Sequence, residues 1–173
     1  MENAILNIIN GRKSTKSYID TMPKNEDVEK IINAGLRAAS GRNMQAPIIV
    51  AVTNKEIRDK LSKANANVMG AEGDPFYGAP VVLVVLARKK AHTYVYDGSL
   101  TLGNMMLAAE SLGLGSCWVH RAREVFEQPE WKQWLVSIGV NDDVEGIGNL
   151  ILGYPNKESD VKPVNEGRVF YVK

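Results

Sequence analysis

The chain has 173 residues, 45% apolar and 24% charged, with 21 Lys and Arg against 20 Asp and Glu. That composition excludes disorder as the main state. A formal charge of +1 argues against nucleic acid or an anionic membrane as the partner, and the single cysteine, Cys117, allows neither an internal disulfide nor a CxxC zinc pair.

A first helix is predicted over Glu2 to Asn10, with Ile5, Ile8 and Ile9 on one face. Gly11 stops it, and the polar, basic stretch Arg12 to Ser17 follows. A second helix is predicted over Glu26 to Ala39 with Asn25 as its cap. A polar turn, Ser40 to Asn43, leads into a strand from Pro47 to Val52. Lys55 to Ala66 reads as an amphipathic helix. Gly70, Gly73, Pro75, Gly78 and Pro80 then mark a long loop, of the kind that usually serves function or moves.

Pro80 to Ala87 is apolar on both faces and reads as a central strand. Val95 to Leu112 is predicted as a helix apolar almost all round, which demands burial on several sides or a subunit interface. A short strand is expected over Ser116 to His120, a helix over Glu124 to Ile138, and an inner strand over Gly148 to Gly153. Trp131 and Trp134 share one face of that last helix, where a core or interface role is expected. The tail Val169-Phe170-Tyr171-Val172 has strand chemistry and follows a polar linker, residues 156–166. The class is α+β or α/β, in one domain over 1–173 whose last residues, about 156–173, form an arm. No apolar run is long enough to span a bilayer, and no secretion leader is visible at the N-terminus. A reduced, cytoplasmic protein is expected.

Several chemistries are absent from the pattern. There is no P-loop, no dinucleotide fingerprint after a strand and no HExxH, and no GxSxG elbow. Two distant histidines make a metal site unexpected. Cys117 with His120 has the residue types of a nucleophile and base, but Cys117 reads better as a small buried strand residue. Asn141 to Gly146 reads as a solvated turn rather than a calcium loop.

One constellation carries information. In an extended segment Arg12, Ser14 and Lys16 point to one side, so two cations and a hydroxyl can converge on an anion such as a phosphate. The alternative is a solvated basic loop. Ser40-Gly41-Arg42-Asn43-Met44-Gln45 sets amide side chains in a turn, able to match the edge of a planar heterocycle or simply to cap that turn. Gly113-Leu114-Gly115-Ser116-Cys117-Trp118 brings backbone close to whatever lies above it. Lys162 and Arg168 precede the tail.

In their order, Arg12 to Lys16, Ala38 to Pro47, Gly113 to Trp118, and Gly153-Tyr154-Pro155 with Lys162 resemble the FMN-dependent nitroreductase family, in its short members. The resemblance covers almost the whole chain. It implies an α+β nitroreductase-like fold, a central mixed or antiparallel sheet flanked by helices. It implies an intertwined homodimer with FMN at the subunit interface and the C-terminal strand able to join the partner's sheet. Carried over, Arg12, Ser14 and Lys16 would hold the phosphate and ribityl chain, with Lys13 contributing backbone. Ser40, Asn43 and Gln45 would come from the other subunit. Cys117, Trp118, Val119 and His120 would run beside the flavin ring, Asn67 near its polar edge, and Lys162 and Arg168 would complete the phosphate clamp. Val164 stands where longer members have a second basic residue, and Ala46-Pro47 replaces a proline-tryptophan.

The implied activity is a ping-pong NAD(P)H oxidoreductase. NADH or NADPH gives hydride to the flavin, and a nitroaromatic, quinone or similar small molecule takes it. No catalytic side chain is required. His120 as a proton donor, and Arg121 with Arg123 as readers of the NADPH phosphate, are the further candidates; a rim position and a solvated pair are their plainer readings. The competing functions are a flavin reductase or dehalogenase of the same fold, a non-enzymatic flavin-binding or sensing dimer, and a structural dimer without cofactor.

Overall fold

The computed structural model describes residues 3–157 and 160–173, so the helix start expected at Glu2 lies outside them. Its frame is one antiparallel sheet of four strands: β1 (Pro47–Val52), β2 (Val81–Arg88), β3 (Gly115–Val119) and β4 (Val144–Gly153), in the order β1-β2-β4-β3. The mixed-sheet alternative is thereby corrected. The helices are α1 (Ala4–Gly11), α2 (Asn25–Leu36), α3 (Lys55–Met69), α4 (Tyr94–Ser111), α5 (Ala122–Phe126) and α6 (Pro129–Ser137).

Helices cover both faces, and β2 shows why. Val81 to Ala87 are all fully buried. Val81, Leu83, Val85 and Ala87 join a core with α2 and α4, while Val82, Val84 and Leu86 join a second core with Leu61 of α3, Phe126 of α5 and Trp131 of α6. A strand with apolar residues at both parities can only sit between two layers. Each such Val or Leu stabilises the fold by about 1.5–3 kcal/mol. Phe126, Trp131 and Trp134 pack edge-on and tilted, with centroids 5.4–6.4 Å apart, which gives the tryptophans their expected core role.

Two expectations need correction. The helix expected over Glu124 to Ile138 is two helices, because the chain turns at Gln128, extended at φ −69° and ψ 141°, and restarts with Pro129 in the first turn of α6. The strand expected to begin at Gly148 begins at Val144, so the turn expected at Asn141 to Gly146 holds only up to Asp143. A register shift opposite Val85 and Leu86 turns both Ile147 and the face of Gly148 towards the same layer, which breaks the alternation a strand shows in sequence. The long helix α4 is buried on its sheet side and leaves Tyr96 and Leu100 exposed in the protomer, which fits the subunit-interface alternative of the expectation rather than the core one. The tail residues Val169 to Val172 are exposed and form no strand within this chain.

Candidate functional site

The basic segment after α1 is tied to the sheet at two points. Ser14 bridges Ser116 in parallel, with the Thr15 N–H donating to Ser116 O at 2.9 Å, and Tyr18 bridges Pro155. Thr15 is buried and its side chain packs on Gly115. The close approach expected at this glycine is therefore to the chain itself, not to a ligand. With Thr15 turned in, Arg12, Ser14 and Lys16 face the other way and line one cavity, as the alternation predicts; Lys13 reaches it too. The Tyr18 hydroxyl donates to Thr15 O at 2.8 Å, and burial pushes its pKa far up, so it stays a donor.

The cavity holds about 1060 Å³, at the upper end of small-molecule sites. One wall is β3, from Cys117 to Val119, with His120 and Arg121 just beyond it. This is an edge strand. Ser116 turns its carbonyl away from β4 to Thr15, and two residues on, by the alternation of an antiparallel ladder, Trp118 turns its own N–H and C=O to the open edge. The opposing elements are Met69 at the end of α3, Pro75 and Tyr77 from the loop before β2, and Asp160, Val161, Lys162 and Pro163 from the segment after β4.

Electrostatically the cavity is lopsided. It gathers five cations, Arg12, Lys13, Lys16, Arg121 and Lys162, against one carboxylate, Asp160, in a chain of net charge +1. Arg121 pairs with Glu124 at 2.8 Å. Burial works to raise the Glu124 pKa, but its own backbone N–H and Arg121 prevail and lower it. Among the described residues the other four cations have no carboxylate partner; Arg12 rests on Met106 Sδ at 3.8 Å and Lys16 lies 5.7 Å from the Tyr77 ring centroid. Arg123 is held away by Glu127 and Glu145. Cys117 is buried and His120 exposed at the rim.

The remaining expected residues lie elsewhere in the protomer. Ser40, Asn43 and Gln45 sit in a turn outside the cavity. Ser40 Oγ accepts from the Gln45 N–H at 3.0 Å, and Gln45 Nε2 donates to Asn43 Oδ1 at 3.2 Å. Arg42, Asn43 and Gln45 all have φ near +50°, unusual for residues with side chains. Asp97, buried in α4, anchors this turn by accepting from the Gly41 N–H at 3.0 Å and the Thr93 hydroxyl at 3.1 Å. Asn67 lies on a different hollow beside Arg58 and Asp74, and Arg168 is exposed in the tail. Sequence reading missed the roles of Asp97 and Thr15, which are buried, and of Asp74, which is not, because a lone polar residue inside a helix or loop has no local pattern.

The nitroreductase-family profile matches residues 9–136 of this sequence. The chain belongs to the nitroreductase family. It is 31% identical, over 90% of its own length and 87% of the relative's, to an Archaeoglobus fulgidus protein named "putative NADH dehydrogenase/NAD(P)H nitroreductase". It is 26% identical to a Bacillus subtilis FMN reductase [NAD(P)H], over 93% of this chain and 70% of that one. A nitroreductase from Bacteroides fragilis, solved with bound FMN, superposes with a TM-score of 0.88 at 27% identity, covering 99% of this chain and all of that one. This family member thus has the fold that its motif order led us to expect. Among its described residues no helix is long and apolar enough to cross a membrane, and none group into a metal site.

Proposed function

We propose that the chain is an FMN-dependent NAD(P)H oxidoreductase that works as a homodimer. It would move hydride in a ping-pong cycle from NADH or NADPH to a nitroaromatic, quinone or similar acceptor. The observation that carries this reading is the cavity with four cations that lack carboxylate partners among the described residues, set against the open edge of β3. The residues fit FMN on three counts. A phosphate dianion needs a cluster of donors, and Arg12, Ser14, Lys16 and Lys162 supply it. A flat ring with polar edges needs alternating donors and acceptors, and the Trp118 N–H and C=O stand on the open edge. The volume admits a molecule of that size.

When bound, FMN supplies a two-electron hydride acceptor and donor. The protein's own residues bind and orient. The surplus of positive charge favours whichever bound state carries more negative charge. His120 stands at the rim, within the cavity wall, where a proton could be delivered to a reduced acceptor.

The homodimer is supported by what one protomer leaves open. Tyr96, Leu100, Gly103 and Leu107 follow one another at spacings of four, three and four on α4, which puts them on one face. Tyr96 and Leu100 are exposed, and so are Ile5, Leu6 and Ile9 of α1. The Ser40–Gln45 turn is strained, is anchored by Asp97 and lies outside the cavity of its own protomer, as suits a turn offered to a second copy. The apolar tail is exposed in the same way.

The test is the visible spectrum of purified protein with added FMN, before and after anaerobic NADH or NADPH. Flavin bands that bleach support the reading. Bands that neither nucleotide bleaches would leave a sensing role, and failure to bind FMN would refute the cofactor assignment.

A further inference from the structure

The loop between α3 and β2 is built around one carboxylate. Asp74 accepts from Arg58 Nη2 and from Ser62 Oγ, and from the backbone N–H groups of Phe76 at 2.9 Å and Gly78 at 2.7 Å. The N–H between those two, that of Tyr77, donates to the Asp74 carbonyl at 3.0 Å. Three successive amides thus end on one residue. Arg58 is itself buried and closes the far end by donating to Ala79 O at 3.0 Å. Phe76 drops fully into the core beneath the guanidinium, 5.6 Å from its ring centroid.

This winding forces Tyr77 to φ +53°, beside Gly78 at +76°. A glycine or asparagine adopts that conformation far more readily than an aromatic residue. Burial does not repay the tyrosine, which stays 41% exposed. Its ring lies on the cavity wall with Lys16 Nζ 5.7 Å from the centroid. A bulky residue held against its backbone preference, without packing in return, marks a position kept for what enters the site.

We propose that Tyr77 sets acceptor specificity by stacking on planar aromatic acceptors, and that the Asp74 clasp with Arg58 and Ser62 positions it. This inference rests on the oxidoreductase reading above. Asp74 acts through Tyr77 and is a positioning residue. The chemistry selected is a flat, electron-poor ring; a compact inorganic oxidant gains nothing from the wall.

The experiment compares kcat/KM for a simple quinone with that for ferricyanide, in FMN-loaded protein with saturating NADH or NADPH. In Tyr77→Gly the backbone is relieved while the ring is lost, so the quinone-to-ferricyanide ratio should fall about tenfold, mainly through the quinone KM. Tyr77→Phe should keep the ratio. Asp74→Asn should lower it similarly, and Asp74→Asn with Tyr77→Gly should fall no further than Tyr77→Gly alone. An unchanged ratio in Tyr77→Gly overturns the proposal. So does a full additional loss in the double variant, which would place Asp74 outside the path through Tyr77. Failure of the underlying reading looks different: wild-type protein would not bind FMN or would reduce neither oxidant.

Discussion

A β-carbon at Gly115 should loosen the cofactor more than it loosens the sheet. Built on the backbone, that carbon falls 2.7 Å from Thr15 Cγ2 and Oγ1 and 2.8 Å from Thr15 Cβ, about 1 Å inside ordinary contact. Something must move. β3 is held to β4 through five residue pairs, whereas the basic segment meets β3 through the single bridge at Ser14. The weaker attachment gives way, and Thr15 carries its neighbours Ser14 and Lys16 with it. Overpacking of this kind costs about 1–3 kcal/mol. Transferred to the segment that faces the phosphate, it becomes a rise of roughly 5- to 150-fold in the Kd for FMN. Titration of the apoprotein, followed by flavin fluorescence, measures it in Gly115→Ala. Thr15→Gly in the same chain removes all three clashing atoms and should recover much of the affinity. An unchanged Kd in Gly115→Ala would refute the argument that this glycine seats the basic segment.

Gly146→Ala should be worse for folding, because its added carbon meets backbone, 2.4 Å from the Ala122 C and O atoms; a cost of about 3 kcal/mol or more would lower Tm by roughly 6–12 °C in a thermal melt. Arg12→Ala with Lys16→Ala should lose FMN while keeping wild-type circular dichroism, since neither side chain makes an ion pair among the described residues; retained yellow colour after dialysis would count against the phosphate assignment. Leu100→Asp places a charge on the exposed stripe of α4 and should yield monomer by light scattering, whereas a dimer of wild-type mass would move the interface elsewhere. Burial works to raise the Asp74 pKa, but Arg58, Ser62, Gly78 and Phe76 outweigh it and hold the carboxyl below its ordinary 3.8. With a depressed folded pKa, the clasp's contribution is present above pH 3.8 and is lost as pH falls through the lower folded value. The protection of the Phe76 and Gly78 amides, measured against the exchange of an unstructured peptide at the same pH, should therefore fall as the pH drops below 3.8, and Asp74→Asn should remove that fall.

What could be read from the sequence divides by the range of the interaction behind it. The central strand was legible because burial on two faces writes apolar residues at every position of Val81 to Ala87. The alternation of Arg12, Ser14 and Lys16 was legible because strand geometry alone decides it, and Thr15 confirms the parity by turning inward. The split between α5 and α6 was readable in principle, since Pro129 is a strong start signal, but the apolar spacing of Phe126, Trp131 and Leu135 ran across it. Asp74 and Asp97 were not legible. Each fixes a strained turn by accepting backbone amides, and a single carboxylate in a loop or helix looks the same whether it meets water or N–H groups. Both strained turns, at Arg42 to Gln45 and at Tyr77, carry side chains where glycine would cost least. The Tyr77 turn flanks the cavity, and the Arg42 to Gln45 turn lies outside it, tied to α4 through Asp97. A third left-handed site, Arg121 at φ +78°, stands just beyond β3 and lines the same cavity. Among the described residues, two of the three places where a side chain stands on unfavourable backbone therefore border the cavity, while the sheet that seats them follows the ordinary rules of burial.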